Sequence, residues 1–313
     1  MARKRGAKLT IVGAGAVGTS CAHWALVRDV AQEIVLIDVV EGLPQGKALD
    51  CAQSSPIVGF SGEIVGTNDY ALTQGSDCVI ITAGLARRPG MSREDLLGKN
   101  VEIVKSVTEN IVRQSPEAIL VVVTNPIDAM VYTAFKVSGF SKERVVGMAG
   151  VLDSARYRYF LAKELGVSPM DVTALVMGIH GDNMLPLTRL ASVGGVPVEA
   201  LIPKERLAEI VRRTQQGGAE IVGHLKTGSA FTTPGLAAVE MAEAIIKDQK
   251  RVLPCAAYLE GEFGIEGVFL GVPCVLGRGG VERILEFPLT DEEKEALKLS
   301  EEAVRRQVAQ TGL

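Results

Sequence analysis

The sequence lacks a surplus of positive charge. Lysine and arginine total 33 against 37 for aspartate and glutamate, a formal net charge of -4, whereas a general nucleic-acid binder shows a basic excess. No uninterrupted apolar stretch reaches the roughly 18 residues needed to cross a bilayer. The basic opening, MARKRGAKLTIVG, passes through a short apolar run into glycines and offers no small-residue cleavage site, which speaks against a signal peptide and for a cytoplasmic location. Neither nucleic acid nor membrane is therefore an expected partner. Cysteine is sparse and scattered: Cys21, Cys51, Cys78, Cys255 and Cys274 are odd in number and show no CxxC spacing. That argues against a disulfide framework or a zinc site and leaves inert, buried thiols as the expectation. Tandem repeats and low-complexity segments are missing too. Histidine is scarcer still, with three in the chain.

What is present is an alternation. The runs KLTIVG, EIVLIDVV, DCVIITAG, AILVVVTNP and RVVGM are apolar and rich in β-branched residues, and longer amphipathic segments such as AVGTSCAHWALVRD and EDLLGKNVEIVKSVTENIVRQS separate them. Continuously apolar strands separated by helices predict an α/β chain with a parallel sheet covered on both faces. From about residue 150 the character changes. The helix DSARYRYFLAKELG is followed by the strands VTALVMG and GVFLGVPCVLG, with long helices between. A Gly-Gly pair within AEIVRRTQQGGAEIVGHLKTGS predicts a kink or break there. Thr290 and Glu293 form a capping-box pattern ahead of a C-terminal helix whose first turn is acidic.

The motif GAGAVG follows the first strand directly. Gly13, Gly15 and Gly18 satisfy GxGxxG, with Ala14, Ala16 and Val17 between them, and a helix follows. In such a turn the first glycine permits the bend, the second lets a pyrophosphate approach the backbone, and the third lets helix and strand pack closely. Asp38 ends the second strand, placed to accept hydrogen bonds from ribose hydroxyls and to repel a 2′-phosphate, which favours NAD over NADP.

Of the histidines, His23 and His224 lie within helical segments and read as packing or solvated residues. His180, in MGIHGDN, sits where a strand ends in a glycine-flanked turn, and a histidine exposed there suits accepting and returning a proton near neutrality. In VLDSARYR, Asp153 and Arg156 are three residues apart on one helix face. They read either as a surface ion pair or as a carboxylate that orients His180 and a guanidinium that grips a substrate carboxylate. Asn125, in VVVTNPID, either caps a turn or reaches a ligand from the carboxyl end of its strand.

Taken together, GAGAVG, Asp38, TAGLARRPGMSREDLL, VTNPID, LDSARYR, GIHGDN and KTGSAF resemble the lactate/malate dehydrogenase family in order and spacing, through nearly the whole chain. The details are most similar to the bacterial, lactate-dehydrogenase-like malate dehydrogenases. The resemblance implies a Rossmann doubly wound parallel sheet (residues 1–148, binding NAD) followed by an α+β substrate domain (residues 149–313). It implies NAD-dependent interconversion of a 2-hydroxy and a 2-oxo acid without a metal, in a homodimer or homotetramer. By motif position His180 is the proton acceptor, Asp153 its orienting partner and Arg156 the carboxylate clamp. Asn125 would contact substrate and cofactor, and Asn100, Val123 and Thr124 would line the cofactor site.

The resemblance also divides the arginines of GLARRPGMSR. Arg93 matches the family residue that polarises the reacting carbonyl. Arg87 falls where lactate dehydrogenases carry glutamine, and an arginine there can pair with the second carboxylate of malate or oxaloacetate, whereas Arg88 is expected to face solvent. The glycines and proline would let this segment close over the substrate. Ala230 stands where lactate enzymes commonly have threonine, which is read as room for the larger substrate. The alternatives are a lactate or branched-chain hydroxy-acid dehydrogenase and a non-catalytic NAD-binding protein.

Overall fold

A computed structural model describes residues 6–85 and 93–313, without the side chain of Arg93. The amino-terminal half runs β1 (Lys8–Val12), α1 (Ala16–Val27), β2 (Glu33–Ile37), α2 (Leu43–Gln53), α3 (Ser55–Val58), β3 (Glu63–Thr67), β4 (Cys78–Ile81), α4 (Arg93–Gln114), β5 (Ile119–Val122), α5 (Ile127–Ser138) and β6 (Val145–Gly147). The rest comprises α6 (Gly150–Leu165), the short strands β7 (Val172–Thr173), β8 (Val176–Met177), β9 (Leu185–Pro186), β10 (Ser192–Val193) and β11 (Val196–Pro197), then α7 (Lys204–Leu225) and α8 (Thr232–Ile246). It closes with the strands β12 (Arg251–Glu260), β13 (Glu266–Gly277) and β14 (Gly280–Ile284) and the helix α9 (Asp291–Ala309).

The strands β3, β2, β1, β4, β5 and β6 pair in parallel in that spatial order, and the antiparallel strands β12, β13 and β14 extend the same sheet beyond β6. Successive side chains of a strand point to opposite faces, and the core divides accordingly. Leu9, Ile11, Cys78 and Ile80 pack with α1 and α8 on one face, while Val12, Val79 and Ile81 pack with α4 and α5 on the other. Burial on both faces is why these strands are continuously apolar. A third cluster, built on Tyr157, Leu161, Val176, Ile202 and Leu207, joins α6 to α7 and the short strands. The carboxyl ends of β1, β4 and β5 open on one edge, where ligands of open parallel sheets bind.

The doubly wound α/β architecture matches expectation, and three local expectations change. The run EIVLIDVV leaves the sheet after Ile37, because Asp38 turns the chain by accepting the Val40 N–H at 2.9 Å. VTALVMG is not one strand: Thr173 pairs with Ser192 and Val176 with Pro186, so the chain changes partners midway. The Gly-Gly pair neither kinks nor breaks its helix, for α7 runs unbroken through it. The missing side chains at this point make room for Arg156, whose Cδ lies 3.2 Å from where a Cβ on Gly217 would be. The strand β3, which the apolar pattern does not single out, is a half-exposed edge strand. The capping box of Thr290 and Glu293 is formed on both sides, and all five cysteines are buried and free.

Candidate active site

The glycine turn is held by backbone and side-chain hydrogen bonds together, the Thr82 hydroxyl donating to the Gly13 carbonyl at 3.2 Å and the Thr19 hydroxyl to the Ala14 carbonyl at 3.2 Å. Gly13 has φ +102°, a conformation costly for side-chain-bearing residues, and its N–H donates to the Ile37 carbonyl at 2.7 Å. A methyl group on Gly18 would overlap the Gly13 carbonyl oxygen, so α1 lies against β1 only because that residue is glycine. Gly15 differs: a Cβ there would meet nothing within 4 Å and would project into open space. The first turn of α1, starting at Ala16 and Val17, has no side-chain cap and no acidic residue. Its free N–H groups therefore face outward as an anion-binding end. Ala14 donates its N–H to Asp38 Oδ2 at 2.6 Å, which fixes this carboxylate beside the turn while leaving lone pairs for sugar hydroxyls. An open glycine, an uncapped helix start and an adjacent carboxylate suit the pyrophosphate and ribose of NAD.

Across the sheet edge, β6 leads into α6, which carries Asp153 and Arg156, and β8 leads into the turn carrying His180. The two segments converge. His180 Nδ1 lies 2.8 Å from Asp153 Oδ2, and Arg156 donates to Asp153 Oδ1 at 3.2 Å. Asp153 is nearly sealed, with 2% of its side chain exposed, while His180 and Arg156 keep 16% and 13%. A carboxylate only accepts hydrogen bonds, so this contact assigns the imidazole proton to Nδ1 and leaves Nε2 with a lone pair. Burial disfavours the imidazolium, but the charge and hydrogen bond of Asp153 outweigh it and hold the His180 pKa above the ordinary imidazole value, against the opposing charge of Arg156.

Beneath this pair lies a carboxylate that the sequence did not single out. Asp128, in the first turn of α5, is 1% exposed and accepts the His180 backbone N–H through Oδ2 at 3.3 Å. Burial raises its pKa to about 6, with the His180 charge pulling down and the Asp153 charge pushing up. The available signal was an acidic residue between Ile127 and Ala129 at the start of an apolar helix, three residues after Asn125.

Asn100 and Asn125 come together, in roles that differ from each other. Asn100 is 1% exposed and fully engaged: it accepts the Leu85 N–H at 2.8 Å and donates to the Leu85 and Asn125 carbonyls at 3.2 and 2.8 Å. It braces the root of the following segment against the end of β5. Asn125 itself is exposed at that edge. Thr124 ties β5 to the Ala83 carbonyl at 2.7 Å, and the N–H of Val123 donates to the Ile81 carbonyl at 2.9 Å. Arg87 and Arg88 lie outside the described residues, as does the side chain of Arg93, whose backbone opens α4. His23 and His224 are exposed, and Ala230 is half-buried just ahead of α8. Among the described residues no helix is long and apolar enough to cross a membrane.

The chain matches two family models, the lactate/malate dehydrogenase NAD binding domain over residues 7–147 and the lactate/malate dehydrogenase alpha/beta C-terminal domain over residues 150–311. It is 57% identical to a malate dehydrogenase of Rhodopirellula baltica over 97% of both chains. It is similar to the solved malate dehydrogenase of Salinibacter ruber, with 52% identity, a TM-score of 0.93 and 97% of each chain covered. It is also similar, at 43% identity and a TM-score of 0.94, to a lactate dehydrogenase of Cryptosporidium parvum solved with lactic acid and NAD, with 100% of this chain and 99% of that one covered.

Proposed function

This chain belongs to the lactate/malate dehydrogenase family and is an NAD-dependent dehydrogenase of the malate type, and we propose that His180, Asp153 and a set of arginines carry its reaction. The observation behind this reading is the convergence of His180, Asp153 and Arg156 at 2.8 and 3.2 Å from two separate segments. In the oxidation of (S)-malate, Nε2 of His180 takes the proton of the C2 hydroxyl. Asp153 keeps the other ring proton on Nδ1 and favours the imidazolium that forms, which is how a raised histidine pKa helps the step. NAD, held by Gly13, Ala14, Gly15, Ala16, Val17, Gly18 and Asp38, with Asn100, Val123, Thr124 and Asn125 shaping the nicotinamide side, supplies the hydride acceptor when bound. Arg156 keeps guanidinium N–H groups beyond the one bonded to Asp153, enough to grip the carboxylate next to C2. Asn125, exposed at the end of β5, contributes a substrate hydrogen bond.

Arg93 polarises the C2 oxygen as charge develops on it in the reverse direction. Arg87 reads the far carboxylate. Similarity in fold extends to a lactate dehydrogenase as well, so the choice of substrate rests on this side chain: with pyruvate its charge would face a methyl group. The proposed boundary between NAD-binding and substrate domains at residues 148 and 149 is supported by the two family models, which meet between 147 and 150. A homodimer or homotetramer is the proposed assembly, in keeping with exposed apolar side chains such as Ile57 on α3 and Tyr159 on α6. The proposed location is the cytoplasm, on the sequence grounds above. The test is direct: purified chain given NAD should form NADH with (S)-malate and far less with lactate, and equal rates would refute the assignment of Arg87.

A further inference from the structure

Asp128 takes no part in the reaction as described, yet it is placed where holding it is costly. The residue is 1% exposed, and its Oδ1 has no hydrogen-bond partner among the described residues. An unpaired buried carboxylate oxygen is disfavoured unless nearby charge compensates it. The nearest compensation is His180, whose backbone N–H is already bonded to Oδ2 at 3.3 Å. We propose that Asp128 is a positioning residue for the proton step, holding His180 through its backbone and supplying a second negative charge that favours the imidazolium. This rests on the malate–oxaloacetate reading above.

The electrostatics around the pair agree with this role. The charges that bear on Asp128 come from His180 and from Asp153 on α6; those that bear on His180 come from Asp153, Arg156 and Asp128. Asp153 meets the ring directly through Nδ1, whereas Asp128 meets the backbone, so the two carboxylates act from different sides. Coupling of this kind is reciprocal: the imidazolium lowers the Asp128 pKa, and an ionised Asp128 raises that of His180. With its carboxyl pKa pushed up to about 6, Asp128 is largely ionised at neutral pH and becomes protonated within the range over which a histidine titrates.

Asp128→Asn keeps an oxygen for the His180 N–H and removes the charge. Oxaloacetate reduction needs the imidazolium and falls as pH rises through the His180 pKa; malate oxidation needs the neutral ring and falls as pH drops through it. In the variant both limbs should move about one pH unit lower, with KM for either substrate changed less than kcat at neutral pH. A lower kcat at every pH with both limbs unmoved would overturn the proposal in favour of a purely structural residue. A second measurement does not depend on the variant folding: in the unaltered protein the His180 Cε1–H resonance should titrate in two steps, the smaller near pH 6. A single step would overturn the proposal. Should the unaltered chain turn over neither oxaloacetate nor pyruvate, the functional reading fails, while the resonance still decides the coupling.

Discussion

The glycine turn and the histidine cluster lie on the same edge of the sheet and are built in opposite ways. The turn is one contiguous stretch, Gly13 to Gly18, and its shape follows from which residues lack a side chain. The cluster is assembled from residues far apart in sequence: Asp153 and His180 are separated by 27 positions, and Asp128 and His180 by 52. Backbone geometry makes the first, and tertiary packing with charge makes the second. Damage to the turn should thus appear as lost cofactor affinity or lost stability, and damage to the cluster as lost chemistry in a folded protein.

The largest effect should come from the cluster. His180→Asn is expected to lower kcat by roughly 10² to 10⁴ in both directions, measured by steady-state kinetics with the melting temperature nearly unchanged. If Asp153 works through His180, Asp153→Asn in the His180→Asn background should cost little more, because residues that act as a unit are not additive; a full additional loss would mean that Asp153 acts independently. Next in size is Arg87→Gln. A charge-assisted hydrogen bond contributes about 1.5 to 3 kcal/mol, so the preference for oxaloacetate over pyruvate should fall by roughly one to a few orders of magnitude. Parallel losses on both substrates would show that Arg87 does not read the second carboxylate.

The turn gives smaller effects that separate cleanly. Gly15→Val adds atoms where nothing lies within 4 Å, so binding of NAD, followed by calorimetry, should weaken by about tenfold or more, about 1.4 kcal/mol per factor of ten, while the melting curve stays in place. Gly18→Ala should instead destabilise the fold by about 1 to 3 kcal/mol through overpacking against Gly13. If both variants lost stability alike, the distinction drawn between the two glycines would be wrong. Smallest is Thr290→Ala, remote from the site, which removes the capping box of α9 and should cost about 0.5 to 2 kcal/mol in denaturant unfolding without altering kcat.

The same contrast explains what could be read in the sequence. The strands β1, β2, β4 and β5 announced themselves because burial on both faces makes them predominantly apolar, with Lys8 and Thr10 of β1 as buried polar exceptions; β3 did not, being a half-exposed edge strand. The Gly-Gly pair of α7 was misleading because glycine in a helix signals weakness locally, whereas here its value lies in the space left for Arg156. His180, Asp153 and Arg156 were legible through their motifs, but the bond assigning the Nδ1 proton exists only in three dimensions. Asn100 was expected along the cofactor; its amide is fully spent on Leu85 and Asn125, so what it shapes there it shapes through their backbone. Asp128 was missed because nothing local distinguishes a buried carboxylate at a helix start from a solvated one.

Substrate choice by a single arginine is the claim that separates malate from lactate as the substrate. Its most direct test is NADH oxidation by the purified, unaltered chain, with kcat/KM determined for oxaloacetate and for pyruvate under the same conditions. The account predicts a preference for oxaloacetate of at least roughly tenfold to a hundredfold, the value of one paired carboxylate. Equal or better use of pyruvate would contradict it.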